Sequence, residues 1–254
     1  MKKRRVVILP DELSPQGVLF SRAHSHYLVN VLRLGIGAEI FAQCGRNEYL
    51  VRLTVLEGGR LSGSASFVGV LPDSGCVPLV LAFGCVRPGP VEEILRHGTE
   101  LGVSSFVPIV TRRTTRRPDS PKRRWTAVVA CACSQSGRGT IPEVEAPVTL
   151  DRFLTRDHGE TCKMLLSTDR ASTPMLEVLE ERRPAHVTIL VGPEGGLDPS
   201  EEQTAITEGF HPVMLTETVL KTETACIAAV GLVACWSRRS LGELRDPSCG
   251  LPAD

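Results

Sequence analysis

The stretch VTILVGPEGGLDPS at residues 187–200 decides how the rest of the chain is interpreted. Its apolar start, residues 187–191, predicts a buried strand. The next five residues, GPEGG, hold three glycines, which let the backbone turn sharply and approach a ligand with no Cβ in the way. A helix is then predicted from Pro199, with Asp198 as its N-cap and Glu201 completing a capping box. This succession often builds a ligand cradle at the carboxyl edge of a sheet, although a plain tight turn has the same pattern.

Composition sets the limits of the functional interpretation. The 254 residues are enough for one or two domains with full cores, and the formal net charge is zero, so an RNA partner would have to meet a local basic patch. The nine cysteines form no CxxC pair and mostly lie in apolar runs, which favours buried, reduced thiols and predicts no metal site. With no apolar run of membrane-spanning length and no signal peptide pattern, we predict a cytoplasmic protein.

The first part of the chain, residues 1–72, is predicted to be rich in β-structure. Short apolar or alternating runs near residues 6–9, 39–42, 48–56 and 61–70 are separated by glycine-containing turns, which suggests a small barrel. Residues 24–33 predict a short helix or turn.

A second domain is predicted from residue 73 to 245, followed by a loose tail at 246–254. Its strands are expected near residues 79–84, 106–111, 163–168, 187–191 and 212–216. Its helices are expected near residues 91–101, 125–136, 175–182, 199–208 and 221–238. This alternation predicts an α/β domain with a parallel sheet. The last helix is apolar nearly all round, so we expect it to be buried.

A basic segment, TRRTTRRPDSPKRR at residues 111–124, carries seven Lys and Arg side chains against one Asp. Such a density of cations suits contacts with nucleic-acid phosphates, although a solvated loop would also tolerate it. Arg4, Arg5, Arg22 and Arg33 could extend this patch from the first domain.

Two further motifs each allow two interpretations. QSGR at residues 135–138 could contact RNA, or it could be a helix end with a glycine stop. LTETVLKTETA at residues 215–225 could cap the last helix through Thr222 or Thr224. Alternatively, this loop could face the glycine loop at residues 192–196 and close a pocket.

In their order and spacing, these motifs resemble one family, the bacterial SPOUT-class methyltransferases that methylate N3 of a uridine in 16S ribosomal RNA of the small subunit. The resemblance covers nearly the whole chain. It rests on HYLVNVLR at 26–33, ELGV at 100–103, QSGR at 135–138, VGPEGG at 191–196 and VLKTETA at 219–225.

The resemblance implies a small PUA-like β-barrel that binds RNA, then a SPOUT-type α/β domain with a deep trefoil knot, working as a homodimer with S-adenosylmethionine as cofactor and no metal. The cofactor-binding residues that it implies are Leu166, Ser167, Thr168, Val191, Gly192, Gly195, Gly196, Leu215, Thr216, Val219, Leu220 and Thr224. The RNA-binding residues that we expect are Arg5, His26, Arg33, Arg112, Arg113, Arg116, Arg117, Arg124 and Gln135.

The expected chemistry needs a group that favours the uridine anion and one that accepts its proton. Arg138 or Lys221 could supply the cation. Glu223 is a candidate base, although an acidic residue in the first turn of a helix also has a structural role.

The chain departs from the family pattern at Thr216, Thr218 and Lys221, where a glycine and two arginines are usual. Two alternatives therefore stay open. One is a SPOUT methyltransferase acting on another RNA position, such as a ribose 2′-oxygen. The other is a non-catalytic RNA-binding ribosome-assembly factor with the same fold.

Overall fold

A computed structural model describes residues 4–71, 75–85, 88–114 and 122–245, without the side chains of residues 88, 122, 123 and 241–245. Arg116, Arg117 and the expected tail at 246–254 lie outside the described residues. The chain forms two compact units. One contains Met1–Ser74 together with Ala130–Ile141, and the other contains Gly75–Val129 together with Pro142–Asp254. The sequence did not predict that residues 130–141 belong with the first unit.

The first unit is built on a six-stranded sheet with the strand order β1-β4-β5-β6-β3-β2. The strands are β1 (Arg5–Val7), β2 (Leu13–Ser14), β3 (Gly17–Leu19), β4 (Glu39–Cys44), β5 (Asn47–Glu57) and β6 (Arg60–Val70). The β1–β4 pair is parallel and the other pairs are antiparallel. Strands β2 and β3 were not predicted, because two or three residues are too few for an alternating pattern to show.

Helix α1 (Arg22–His26) continues into a π-helical turn, Tyr27–Val31. The predicted short helix or turn over residues 24–33 is therefore confirmed. The side chain of Leu28, in the π-helical turn, packs in the core of this unit with Phe20, Ile40 and Val51.

A buried carboxylate ties the start of α1 to the preceding 3₁₀ turn, Pro10–Glu12. Glu12 is only 3% exposed and accepts hydrogen bonds from the amides of Leu9 (2.8 Å) and Ser21 (2.5 Å), with His24 Nδ1 at 2.7 Å. Burial alone would raise the pKa of Glu12, but the bonds from His24, Leu9 and Ser21 outweigh it and lower the pKa from 4.5 to about 2.

The second unit contains a sheet of eight strands, in which every pair is parallel. The strand order is β10-β8-β7-β13-β11-β14-β12, with β9 also paired to β8. The strands are β7 (Leu79–Gly84), β8 (Ser105–Val110), β9 (Glu143–Val144), β10 (Val148–Thr149), β11 (Cys162–Leu166), β12 (Thr173–Pro174), β13 (Val187–Val191) and β14 (His211–Met214). The predicted parallel α/β architecture is confirmed.

The helices of this unit are α2 (Pro88–Leu101), α4 (Leu150–Leu154), α5 (Met175–Arg182), α6 (Pro199–Thr207) and α7 (Thr222–Arg245). Helix α3 (Lys122–Ser136) begins in this unit, and its residues from Ala130 onward belong to the first unit. Helix α7 packs against α2, α5, β7 and β13. A separate cluster joins Phe153 of α4 and Ala205 of α6 to Leu165 and Leu190 of the sheet. All five residues of β13 are buried, as expected for a parallel strand that is covered on both faces.

The prediction that the last helix is buried is confirmed for one face only. Helix α7 buries one face, which includes Cys226, Ala229 and Val233, while Ala228 and Cys235 on the other side are exposed. An apolar composition indicates that a helix can be buried, but only the packed neighbours determine which of its faces are covered.

The expectation that the cysteines are buried is confirmed for some of them. Cys85, Cys133 and Cys226 are buried, and burial raises the pKa of the Cys85 thiol to about 12. Cys131 and Cys235 are exposed, so for these two the expected burial was wrong. Cys249 lies outside the described residues.

Within the described ranges, no three His, Cys, Asp or Glu side chains gather as metal ligands would. None of the helices in that part of the chain combines the length and the apolar character needed to cross a membrane.

Candidate active site

Three neighbouring strands, β13, β11 and β14, run parallel and therefore end at the same edge of the sheet. The loops that follow them, from Gly192, Ser167 and Leu215, meet around a cavity of about 560 Å³. This is the edge at which open α/β sheets bind their ligands.

The cavity brings together nearly all of the residues that were predicted to bind the cofactor. Its lining includes Leu166, Ser167, Thr168, Val191, Gly192, Gly195, Gly196, Leu215, Thr216, Val219 and Leu220. Thr224 is the exception, because it lies exposed at the third residue of α7 and is not part of this lining. That these residues bind a cofactor stays a prediction.

The glycine loop is shaped by close backbone approaches. Gly196 has a φ of +70°, in the left-handed region, and its amide donates to the carbonyl of Pro193 at 2.8 Å, which closes a tight turn. Gly84 at the end of β7 lies against this turn, since a Cβ added there would stand 2.3 Å from the nitrogen of Pro193. Nothing in the local sequence singles out Gly84, because its constraint comes from Pro193 in the glycine loop.

The loop from Leu215 to Lys221 forms the opposite wall of the cavity. The Thr222 hydroxyl donates to the carbonyl of Gly192 at 3.1 Å, so the two loops are joined directly. The prediction that this loop faces the glycine loop is confirmed. The capping alternative was wrong, because α7 begins at Thr222 itself and Thr224 lies inside its first turn.

Helix α6 begins as predicted. Asp198 is its N-cap and accepts from the amide of Ser200 at 3.1 Å, while Glu201 Oε2 accepts from the amide of Asp198 at 3.0 Å. Hydrogen bonds from the hydroxyl and the amide of Ser200 hold the pKa of Asp198 below its usual value, and the nearby Arg112 and Arg113 add to this effect.

Two arginines of the basic segment are bound to this region. Arg112 Nη1 donates to Ser200 Oγ at 2.5 Å, and the amide of Arg112 donates to Glu201 Oε1 at 2.8 Å. Arg113 lines the cavity, and its Nη1 donates to the carbonyl of Gly195 at 2.7 Å. Both were predicted as RNA-binding residues, and the sequence did not indicate that either contacts the glycine loop or helix α6.

The three candidate catalytic residues lie in different surroundings. Lys221 is exposed and lines the cavity. Glu223 is half-buried in the first turn of α7 and is not part of the lining. Arg138 is buried within the first unit, where its carbonyl accepts from Gln43 Nε2 at 2.8 Å. Their catalytic roles stay predictions.

The remaining residues predicted to bind RNA are mostly exposed. His26, Arg33 and Gln135 are exposed, and Arg124 is 71% exposed while its Nε contacts Glu92 Oε1 at 2.5 Å. Arg5 differs, because its guanidinium binds Glu48 Oε1 through Nε (2.9 Å) and Nη2 (2.5 Å), and both side chains are largely buried. This ion pair gives Arg5 a structural role within its unit.

Similarity to known proteins agrees with this geometry. A family model described as an RNA methyltransferase domain matches residues 73–234. Ribosomal RNA small subunit methyltransferase E of Synechocystis sp. is 33% identical over 235 residues, which cover 90% of this chain and 76% of that protein.

Two solved structures are similar over almost the whole chain. One is a ribosomal RNA small subunit methyltransferase E from Neisseria gonorrhoeae bound to S-adenosyl methionine, with a TM-score of 0.77 and 29% identity, covering 90% of this chain and 95% of that chain. The other is a methyltransferase from Legionella pneumophila in complex with SAM, with a TM-score of 0.83 and 25% identity, covering 92% of this chain and 98% of that chain. The chain therefore belongs to the RNA methyltransferase family that includes the ribosomal RNA small subunit methyltransferases E.

Proposed function

We propose that this protein is an S-adenosylmethionine-dependent methyltransferase that methylates N3 of a uridine in 16S ribosomal RNA of the small subunit. The observation that carries the proposal is the cavity where the three loops after β13, β11 and β14 meet, in a chain whose Neisseria gonorrhoeae relative was solved with S-adenosyl methionine.

The residues present suit this cofactor. A volume of about 560 Å³ lies in the range of small-molecule pockets. The backbone of Gly192–196 offers amide and carbonyl groups at close approach, and Leu166 and Leu220 offer apolar walls for an adenosine moiety. Glu194, Glu202 and Glu217 also line the cavity and bring negative charge toward a ligand that carries a sulfonium and an ammonium group.

The bound cofactor would supply an electrophilic methyl group, so the chain itself must orient the uridine and deal with the proton on N3. Lys221 is the cation of the Leu215–Lys221 loop at the cavity, where it favours the uridine anion that forms as N3 loses its proton. Water or a carboxylate accepts that proton, and Glu223 in the first turn of α7 is the candidate from the sequence.

The decisive experiment is methyl transfer from labelled S-adenosylmethionine to small subunits that lack the modification, followed by mass spectrometry of the digested RNA. We expect N3-methyluridine. Its absence at stoichiometric amounts of enzyme overturns the proposal, and a methyl group on a ribose identifies the 2′-oxygen alternative.

A cofactor titration tests the non-catalytic alternative. Thr216 and Thr218 lie in the cavity wall, and the amide of Thr218 donates to Thr216 Oγ1 at 3.4 Å, so the departures from the family pattern form a local turn. We expect S-adenosylmethionine to bind measurably in calorimetry. No heat at high protein concentration supports an assembly factor that has lost turnover.

The proposal extends to the architecture. We assign residues 1–72 to a PUA-like RNA-binding barrel. Support comes from the three antiparallel strand pairs β3–β6, β4–β5 and β5–β6. We assign residues 73–245 to a SPOUT domain with a trefoil knot, with support from the order β7-β13-β11-β14 and from the loops that meet at the cavity.

The proposal also includes a homodimer that works in the cytoplasm on the small ribosomal subunit. Support comes from α7, which exposes Ala228 and Cys235 and only half-buries Ile227 and Leu232. Sedimentation equilibrium tests this assembly. A dimer is expected for the natural chain, and Ala228→Arg should shift it toward monomer, whereas a natural chain that is monomeric contradicts the assignment.

A further inference from the structure

Arg113 stands out because it belongs to the basic segment in sequence and to the cavity in structure. Its Nη1 donates to the carbonyl of Gly195 at 2.7 Å, and its Nη2 lies 4.0 Å from Asp198 Oδ2. The side chain is 46% exposed, so it covers the glycine loop at the surface of the unit.

The aliphatic part of Arg113 packs on the same loop. A Cβ added at Gly195 would stand 3.6 Å from both Cβ and Cδ of Arg113, and one added at Gly196 would stand 3.9 Å from its Nη1. Both distances are ordinary packing contacts, so the arginine lies along these two glycines.

The contacts of the neighbouring residue, Arg112, hold the backbone of Arg113 in position. The amide of Arg112 donates to the buried carboxylate of Glu201 at 2.8 Å, and its guanidinium binds Ser200. Arg113 therefore extends from a backbone that is anchored to the first turn of α6, the helix that directly follows the glycine loop.

We infer that Arg113 is a positioning residue of the cofactor pocket, which holds the Gly192–196 loop in its binding conformation and does not serve as an RNA phosphate contact. A loop rich in glycine loses much conformational freedom when it is ordered, and a charge-assisted hydrogen bond to its carbonyl lowers the free energy of the ordered form. Ligand affinity rises with the fraction of molecules in the competent form. The inference rests on the proposed function only in naming S-adenosylmethionine as the ligand.

The experiment compares Arg113→Ala and Arg113→Lys with Arg152→Ala, which removes an exposed arginine on α4 away from the cavity. For Arg113→Ala we expect S-adenosylmethionine to bind about tenfold more weakly in calorimetry, because the loop loses a charge-assisted hydrogen bond to the carbonyl of Gly195. Arg113→Lys should recover part of this loss. At saturating cofactor, kcat should stay within about twofold, and the salt dependence of RNA binding should not change.

The opposite pattern overturns the inference, namely an unchanged cofactor affinity together with a shallower salt dependence of RNA binding. Hydrogen exchange of the peptide that contains residues 192–197 provides a readout that needs no ligand. Arg113→Ala should speed exchange there relative to Arg152→Ala, and equal exchange overturns the inference. If the natural chain fails to bind S-adenosylmethionine, the proposed function fails, while the exchange comparison still tests the role of Arg113.

Discussion

Replacing Thr222 by valine should separate the two walls of the cavity with little change in packing. Thr222 is 4% exposed, and its hydroxyl donates to the carbonyl of Gly192 at 3.1 Å across 30 residues of sequence. Valine has nearly the same shape, so the substitution removes the hydroxyl without opening a cavity. The carbonyl of Gly192, which is half-buried and lines the cavity, then loses this donor.

The expected cost follows from that geometry. Because this hydrogen bond is only partly buried, its loss should cost about its net contribution of 0.5–1.5 kcal/mol. Gly192 belongs to the glycine loop and Thr222 directly follows the Leu215–Lys221 loop, so most of this cost should appear as loss of the binding-competent loop arrangement. About 1.4 kcal/mol corresponds to a tenfold change in affinity, so we expect S-adenosylmethionine to bind about threefold to tenfold more weakly.

Calorimetry with the cofactor and urea unfolding of the same samples provide the measurement. Thr222→Ser keeps the hydroxyl and is the matched control, with an affinity expected within about threefold of the natural chain. If valine and serine bind the cofactor equally well, the link between the loops does not support the pocket and the reasoning is refuted.

Three further predictions concern other parts of the chain. The lowered pKa of Glu12 means that its contribution to stability, about 3 kcal/mol, is complete above its unfolded pKa of 4.5 and is lost as the pH falls toward 2. Glu12→Gln should therefore flatten the pH dependence of urea unfolding in that window, and an unchanged slope contradicts the assignment. Gly84→Ala should lower the free energy of unfolding by about 1–3 kcal/mol and weaken cofactor binding, because the new methyl group would lie 2.3 Å from the nitrogen of Pro193. A variant with the melting temperature and cofactor affinity of the natural chain contradicts this prediction. Replacing Arg116 and Arg117 together by alanine should reduce the slope of log affinity for RNA against log salt by about 1.4 if each contacts one phosphate, and an unchanged slope removes them from the interface.

Local patterns were sufficient to predict much of the second unit. The apolar run at Val187–Val191 and the capping box at Asp198 and Glu201 both have the predicted form, because each depends on residues that are close in sequence. The meeting of the glycine loop with the loop before α7 was also predictable, since both follow parallel strands and so reach one edge of the sheet.

What could not be predicted depends on partners that are distant in sequence. Arg113 and Gly195 are 82 residues apart, and no pattern within the basic segment shows that the arginine reaches the glycine loop. Gly84 is constrained by Pro193 of the glycine loop, about a hundred residues later in the chain. On α7 the sequence likewise could not distinguish the exposed Ala228 and Cys235 from the buried Ala229 and Cys226, because the residue types are the same.

The position of β13 between β7 and β11 also bears on how the protein can be made. Strand β7 pairs with β13, which lies about a hundred residues later in the chain. During synthesis, β7 therefore leaves the ribosome well before the strand with which it pairs. The Leu215–Lys221 wall of the cavity is produced later still. A nascent chain interrupted before that wall would carry the basic segment and all eight strands of the sheet without a closed pocket. Ligand capture would therefore report the completion of synthesis as well as the integrity of the fold.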